Sequence, residues 1–326
     1  MTNYLHGVEV IDKEKINLII TDADTSAIAV IGTKPTFLLD NKETLNKVTT
    51  NTDSINFVGN NLDEYTLPDA CETILTESGG ADIYTINIFD ETKHITHVAS
   101  ETLTFTNGVA TLEHQNALNL EIKKGTETLE EGTDYIIDGN EISIVAGGAI
   151  ASSQANVKAA YDYPDVSRIT DSDVIGTVDT NGNRSGLQAV WDIVAQYGVV
   201  PGIIIAPGFT SKNVRTAVEN MCETLKSYSY LDTDAVQSVS SMEQARLKAT
   251  NGLDLTSISE FSTLLDTPVY RYNSYQNTTT IKPLSPVVAG LRVKLNRTRS
   301  VAKSMGSGEN DRRITIKPTA CTIAAP

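Results

Sequence analysis

Two short apolar runs limit the folds open to this chain more than any other feature. Ala27-Ile28-Ala29-Val30-Ile31 and Ile203-Ile204-Ile205-Ala206 carry no polar residue on either side of a pleat, so each predicts a strand covered on both faces. Such strands belong to parallel sheets held between helices. The flanking patterns agree. Apolar positions from Leu67 to Leu75 recur at helical spacing, Pro68 falls in the first turn where its missing N–H does no harm, and Gly79-Gly80 stops the run. Asp82–Ile88 then predicts an alternating strand, so the opening region reads β, α, β. Ahead of it, Gly7–Ile11 and Asn17–Ile20 also predict strands.

The α/β pattern resumes after Asp165. A helix is expected over Gly186–Tyr197, with Ser185 as N-cap and Trp191 and Val194 on one face. Beyond the second apolar strand, Pro207-Gly208-Phe209-Thr210-Ser211 predicts a structural turn into a helix over Lys212–Lys226, capped by Thr210 or Ser211 and striped by Val214, Ala217, Val218, Met221 and Leu225. A helix over Ser241–Ala249 and strands at Thr267–Tyr272 and Thr278–Ile281 follow. The last helix opens at Leu284–Leu291; beyond Asn296 its periodicity fades, and Ser304–Gly308 reads as linker.

Between Glu91 and Asp165 the texture differs: short alternating segments are separated by turn residues, among them Asn107-Gly108 and Asp138-Gly139-Asn140. That stretch predicts a small antiparallel β-sandwich or barrel inserted into an α/β body. The expected organisation is an N-terminal arm with first strands over 1–25, a discontinuous α/β core over 26–90 and 166–295, the β insertion over 91–165, and a basic tail over 296–326.

Charge narrows the partners. The 326 residues carry a net charge of −15, which disfavours nucleic acid and anionic membrane. From Gly290 on, eight basic residues stand against two acidic ones, a surplus of +6, so the remainder carries −21. No apolar run reaches the ~18 residues of a membrane helix. The first residues lack a signal-peptide pattern, so synthesis in the cytoplasm is expected. Cys71, Cys222 and Cys321 are odd in number and widely spaced, which fits neither a disulfide framework nor a zinc site; Cys71 and Cys222 read as small core residues.

No catalytic, cofactor or metal site is expected. His94 and His97 lie in a segment read as strand or linker, and in a strand that spacing sets them on opposite faces. A strand-to-helix turn such as Ala206–Thr210 can cradle an anion, but this one has a single glycine and no lysine at the phosphate-loop position. No Gly-x-Ser-x-Gly elbow occurs, and the pairs Asp22/Asp24 and Asp171/Asp173 fall in polar loops.

Several stretches, in order and spacing, resemble the contractile tail sheath proteins of phages and phage-like bacteriocins. They are His6-Gly7-Val8-Glu9-Val10, Ala27 to Pro35, Gly176-Thr177-Val178-Asp179, Gly186-Leu187, Pro201 to Phe209 and Ser285-Pro286-Val287-Val288-Ala289-Gly290-Leu291. Gly132-Thr133-Asp134-Tyr135 and Tyr161-Asp162-Tyr163 resemble the β domain that many of these proteins insert. The similarity spans about residues 4–295. It implies a subtilisin-like core without a catalytic triad, no cofactor, and a structural subunit that stacks as hexameric rings on a tail tube and contracts. Implied partners are further copies of the chain, the tube protein, and baseplate and tail terminator proteins; the implied location is the virion tail, after a period in the host cytoplasm. Residues 4–11 are expected to form a linking strand between subunits through Tyr4, Leu5, His6, Val8, Val10 and Ile11. Arg297–Pro326 departs from the family pattern, as if the usual C-terminal domain were replaced or truncated. Two other readings stay open: an α/β enzyme or small-anion binder using Pro207–Ser211, and a glycan-binding surface protein using the Thr/Asn-rich β region.

Overall fold

The computed structural model describes residues 24–62, 64–151, 156–233, 239–247, 254–257, 259–304 and 322–323. The chain opens with β1 (Asp24–Gly32), β2 (Leu45–Val48), α1 (Asn51–Phe57), α2 (Thr66–Ser78) and β3 (Asp82–Asn87). Seven strands follow: β4 (Ile95–Leu103), β5 (Val109–Thr111), β6 (Leu118–Lys124), β7 (Glu127–Thr128), β8 (Tyr135–Asp138), β9 (Glu141–Ile144) and β10 (Val157–Pro164). Then come α3 (Asp171–Ile175), α4 (Val190–Tyr197), β11 (Pro201–Ile205), α5 (Lys212–Leu225), β12 (Tyr228–Asp232) and α6 (Val239–Leu247). The remainder is β13 (Ser262–Leu265), the hairpin β14 (Val269–Asn273) and β15 (Thr278–Lys282), α7 (Ser285–Ser304) and β16 (Thr322–Ile323).

Six strands form one sheet in the order β13-β12-β11-β1-β3-β2, parallel except for β2. The two apolar runs lie side by side at its centre, Ile28 opposite Ile203 and Val30 opposite Ile205. Alternate residues feed two cores. Ala27, Ala29, Ile31 and Ile204 meet Val190 and Ile193 of α4 and Val214, Val218 and Met221 of α5. Ile28, Val30, Ile203 and Ile205 meet Leu67, Cys71 and Ile74 of α2 and Ala289 and Val293 of α7. β3 departs from the alternation expected of it: everything after Asp82 is buried, because Ile83 enters one core while Tyr84 and Ile86 enter the other.

Two helices differ from expectation. Before α4 the chain makes a 3₁₀ turn over Gly186–Ala189, which shifts the phase of the helix. The buried positions are therefore Val190 and Ile193, while Trp191 is exposed and Val194 is half-buried. Ser185 does occupy the N-cap, but its hydroxyl accepts the amide of Thr177 at 3.0 Å instead of capping the helix. The last helix, α7, runs on to Ser304, eight residues past Asn296. Arg297 is exposed yet tied to the body: its guanidinium donates to the carbonyls of Gly79 and Gly80, just past the end of α2, at 3.1 and 2.9 Å.

The strands β4 to β10 make two further sheets, β4-β10-β6-β7 and β5-β9-β8, around a core of Leu103, Phe105, Leu112, Ile122, Tyr135, Ile142, Val157 and Tyr161. The Tyr161 hydroxyl donates to Glu101 at 2.6 Å. The Asp138–Glu141 turn and the left-handed Asn107-Gly108 pair stand where turn chemistry requires them. Chain entry and exit are neighbours, Ile95 opposite Pro164.

Candidate functional site

In an open α/β sheet, ligands gather at the carboxyl ends of the strands, where the strand order reverses. Here that point lies between β1 and β11, which places the Pro207-Gly208-Phe209 turn beside the start of α2. The region is filled by a knot of main-chain contacts. α2 has no side-chain cap of its own at Tyr65. Instead Thr33, at the end of β1, takes the Thr66 amide on its hydroxyl at 3.1 Å and the Leu67 amide on its carbonyl at 3.0 Å, and Thr66 returns a bond to the Thr33 amide.

The turn itself has little left to offer an anion. The Phe209 amide donates to Ala206 O, the Gly208 amide to Asp232, and the Val214 amide to the Ser211 hydroxyl, so Ser211 is the cap of α5. The nearby cations are committed as well: Arg215 donates to the carbonyls of Thr210 and Asp254, and Lys212 to Thr256. A carboxylate, Asp232, faces the turn where an anion would have to sit, which disfavours the anion-binding reading on charge alone.

Asp232 is the residue that sequence reading missed. Its Oδ1 accepts the amides of Leu284 and Ser285, both at 3.0 Å, and its Oδ2 accepts the Ser285 hydroxyl at 2.5 Å. It thus caps α7 from β12, 53 residues away in sequence. Burial pushes its carboxyl up from 3.8 to about 6, against the bonds from Ser285, Leu284 and Gly208, which favour the ionised form. Between those values the folded chain binds more protons than the unfolded one. This group's contribution is therefore most favourable below about pH 4 and is lost as pH rises through about 6, with an amplitude of about 3 kcal/mol.

In Asp232→Asn the amide oxygen still accepts the Leu284 and Ser285 amides while the amide nitrogen donates to the Ser285 hydroxyl oxygen, so the cap of α7 persists and the titration disappears. Urea midpoints measured from about pH 4 to about pH 7 should fall for the wild type relative to the variant. Parallel profiles would rule out Asp232 as the titrating group.

The two histidines named above are separated by the structure. His94 is buried, its Nδ1 accepting the Asp90 amide at 3.0 Å and its Nε2 lying 3.6 Å from Asp173. His97 sits on β4, exposed, beside Asp162 at 2.7 Å. No group of three metal-ligating side chains that could hold an ion occurs among the described residues. No described helix is long and apolar enough to cross a membrane. Cys71 and Cys222 are buried, and burial pushes both thiols up to about 12, which keeps them unreactive. The expected linking residues Tyr4, Leu5, His6, Val8, Val10 and Ile11 lie outside the described residues.

The sheet edges offer a contrast that bears on association. β4 is an edge strand, but its pairing with β10 slips between Val98 and Glu101, a bulge that spoils it as a template. β15, Thr278-Thr279-Thr280-Ile281-Lys282, is a five-residue edge paired in unbroken register with β14, and it contains no proline. On the opposite side β14 takes Thr322–Ile323 as an antiparallel partner.

Comparison with known proteins follows the same line. Residues 90–171 match a family described as "Protein of unknown function UCP028589". The chain is 31% identical over 301 residues to the tail sheath protein of Burkholderia phage BcepMu, covering 90% of this chain and 62% of that protein. It is 32% identical over 77 residues to the tail sheath protein of Escherichia phage P2, covering 24% of this chain and 19% of that one. A prophage major tail sheath protein of Pseudomonas aeruginosa is 37% identical over 62 residues, 19% of this chain and 16% of that one. The chain spans about three-fifths of the length of the BcepMu protein.

Proposed function

The chain is a homologue of the phage tail sheath proteins, and on that premise we propose that it is a structural subunit of a contractile tail sheath, with no chemistry of its own. The identity to the BcepMu sheath protein along 90% of the chain carries this reading. In it, subunits stack as hexameric rings around a tail tube in the virion tail, and contraction into a wider, shorter lattice drives the tube through the target envelope. Further partners are baseplate and tail terminator proteins, and the chain resides in the host cytoplasm before assembly. The six-stranded sheet and its helices serve as the sheath core, and residues 91–165 as an inserted β domain.

Strand exchange supplies the link between subunits: residues 4–11 of one copy add to the open edge of β15 in another. That edge supports the assignment because its register is unbroken and it contains no proline, whereas β4 is bulged. Electron microscopy of the chain expressed with its tube protein should show rings or tubes. Deleting residues 4–11 should reduce them to single subunits. Polymers that survive the deletion would refute the linking strand, and dispersed monomers in the undeleted sample would refute the sheath reading itself.

A further inference from the structure

A cleft of about 600 Å³ opens between the two-sheet β region and the main body, large enough for a small ligand. One wall is the loop joining β5 to β6, with β10 beside it; Leu62 and Gln276 of the body close the other side. The rings of His114 and Tyr163 stack there, centroids 3.6 Å apart and planes 4° from parallel, and both remain half-buried. Around them lie Glu113, Gln115 and Asn116, whose side chains enter no hydrogen bond or ion pair with any described residue. The loop is held in place. Leu112 donates its amide to Asn140 O at 2.8 Å, the Asn140 side chain returns a bond to Leu112 O at 3.2 Å, and Asn116 adopts a left-handed backbone with φ 58°.

A carboxylate able to accept two hydroxyls, amides able both to donate and to accept, and an aromatic surface for C–H faces are the groups that suit a polyhydroxylated ring. Charge selects within that class. The described residues lining the cleft include Glu64, Glu113 and Asp165 but no lysine or arginine, so sialylated, uronic or phosphorylated sugars would meet repulsion. Asp165 is already committed to Ser167 and Thr96, and Glu64 has a partner of its own, which leaves Glu113 as the carboxylate for the ligand.

We propose that this cleft, which gathers Glu113, Gln115 and Asn116 around the stacked His114 and Tyr163, binds neutral saccharides. The test is made on the isolated chain, so its outcome does not depend on polymerisation. The full chain, fluorescently labelled, is applied to an array carrying neutral, sialylated and uronic saccharides. Neutral saccharides should be retained and the acidic ones not. Glu113→Ala and Asn116→Gly should each weaken retention by about tenfold. Glu113 is exposed, and glycine keeps the left-handed backbone at 116, so both variants retain the fold; a wild-type urea midpoint verifies this. The proposal is overturned if no saccharide is held better by the wild type than by Glu113→Ala or Asn116→Gly, or if acidic saccharides are preferred.

Discussion

Gly176→Ala should unfold a large fraction of the chain or lower its stability by about 4 kcal/mol or more, the largest effect expected of an added methyl group at any described glycine. Two independent penalties act there. The backbone of Gly176 has φ 70° and ψ 176°, a combination open essentially to glycine alone. In addition, a Cβ would stand 1.8 Å from Ser185 O, 2.4 Å from Ser185 C and 2.8 Å from Gly186 Cα. All three atoms are main chain, so no side-chain rotation relieves the clash. Gly186 returns the contact, with φ 53° and a Cβ position 2.5 Å from the carbonyls of Asp173 and Val174. The two glycines close the neck of a loop whose tip is organised by Asp179, which accepts the amides of Asn181 and Asn183.

Gly182, at φ 86° with nothing within 4 Å of its Cβ position, is the matched control. Alanine there meets backbone strain without a clash and should cost about 1–2 kcal/mol. Chemical denaturation of Gly176→Ala, Gly182→Ala and the wild type measures the difference. Equal losses at the two sites would mean that the neck can open without penalty.

Lys34→Met should cost about 2 kcal/mol or more although it preserves much of the side chain's length and apolar volume. The Lys34 side chain is fully buried, and its ammonium donates to three carbonyls: Asn41 at 3.1 Å, Glu43 at 2.8 Å and Phe57 at 3.0 Å. Burial lowers its pKa to about 8, partly offset by Glu43, so it is charged at neutral pH. One residue thereby fastens the end of β1 to the loop before β2 and to the last turn of α1. Methionine strands the carbonyls of Asn41 and Phe57 at about 1 kcal/mol or more each, and removes one of two donors from Glu43 O, which the Asn46 side-chain amide still serves at 3.0 Å. Lys34→Arg should rescue little, because a planar fork cannot address three carbonyls that surround a point. Thermal and urea unfolding of both variants provide the measurement. Wild-type stability in Lys34→Met would show that water reaches the carbonyls.

Much of the architecture was legible because it depends on short-range patterns. The runs at Ala27–Ile31 and Ile203–Ala206 are apolar at every position, and both are central parallel strands. Gly79 ends α2 in a left-handed conformation, as glycine after an apolar helical stripe suggests. By contrast β2, α1 and β13 have too weak an apolar period to show in the sequence. The Trp191 face was misread because a 3₁₀ turn rotates the helix that follows, and i+3 spacing alone does not distinguish the two geometries.

The candidate sites divide in the same way. The Pro207–Phe209 turn could be located from its glycine and proline, since those residues act on their own backbone. What the turn faces was not readable. Asp232 is a carboxylate at the end of an ordinary strand, and only the return of the chain 53 residues later sets two amides and a hydroxyl against it. The same holds for His114 and Tyr163, one on a loop and one on β10, which share a cleft only because two sheets pack together. Elements whose energetics are local, set by apolar period, turn conformation and helix termination, are written in the order of the residues. Where the charges of Lys34 and Asp232 are satisfied, and which polar groups remain open to a ligand, is set by packing. Those outcomes depend on burial and on partners distant in the chain, and neither exists until the sheet and its covering helices have packed.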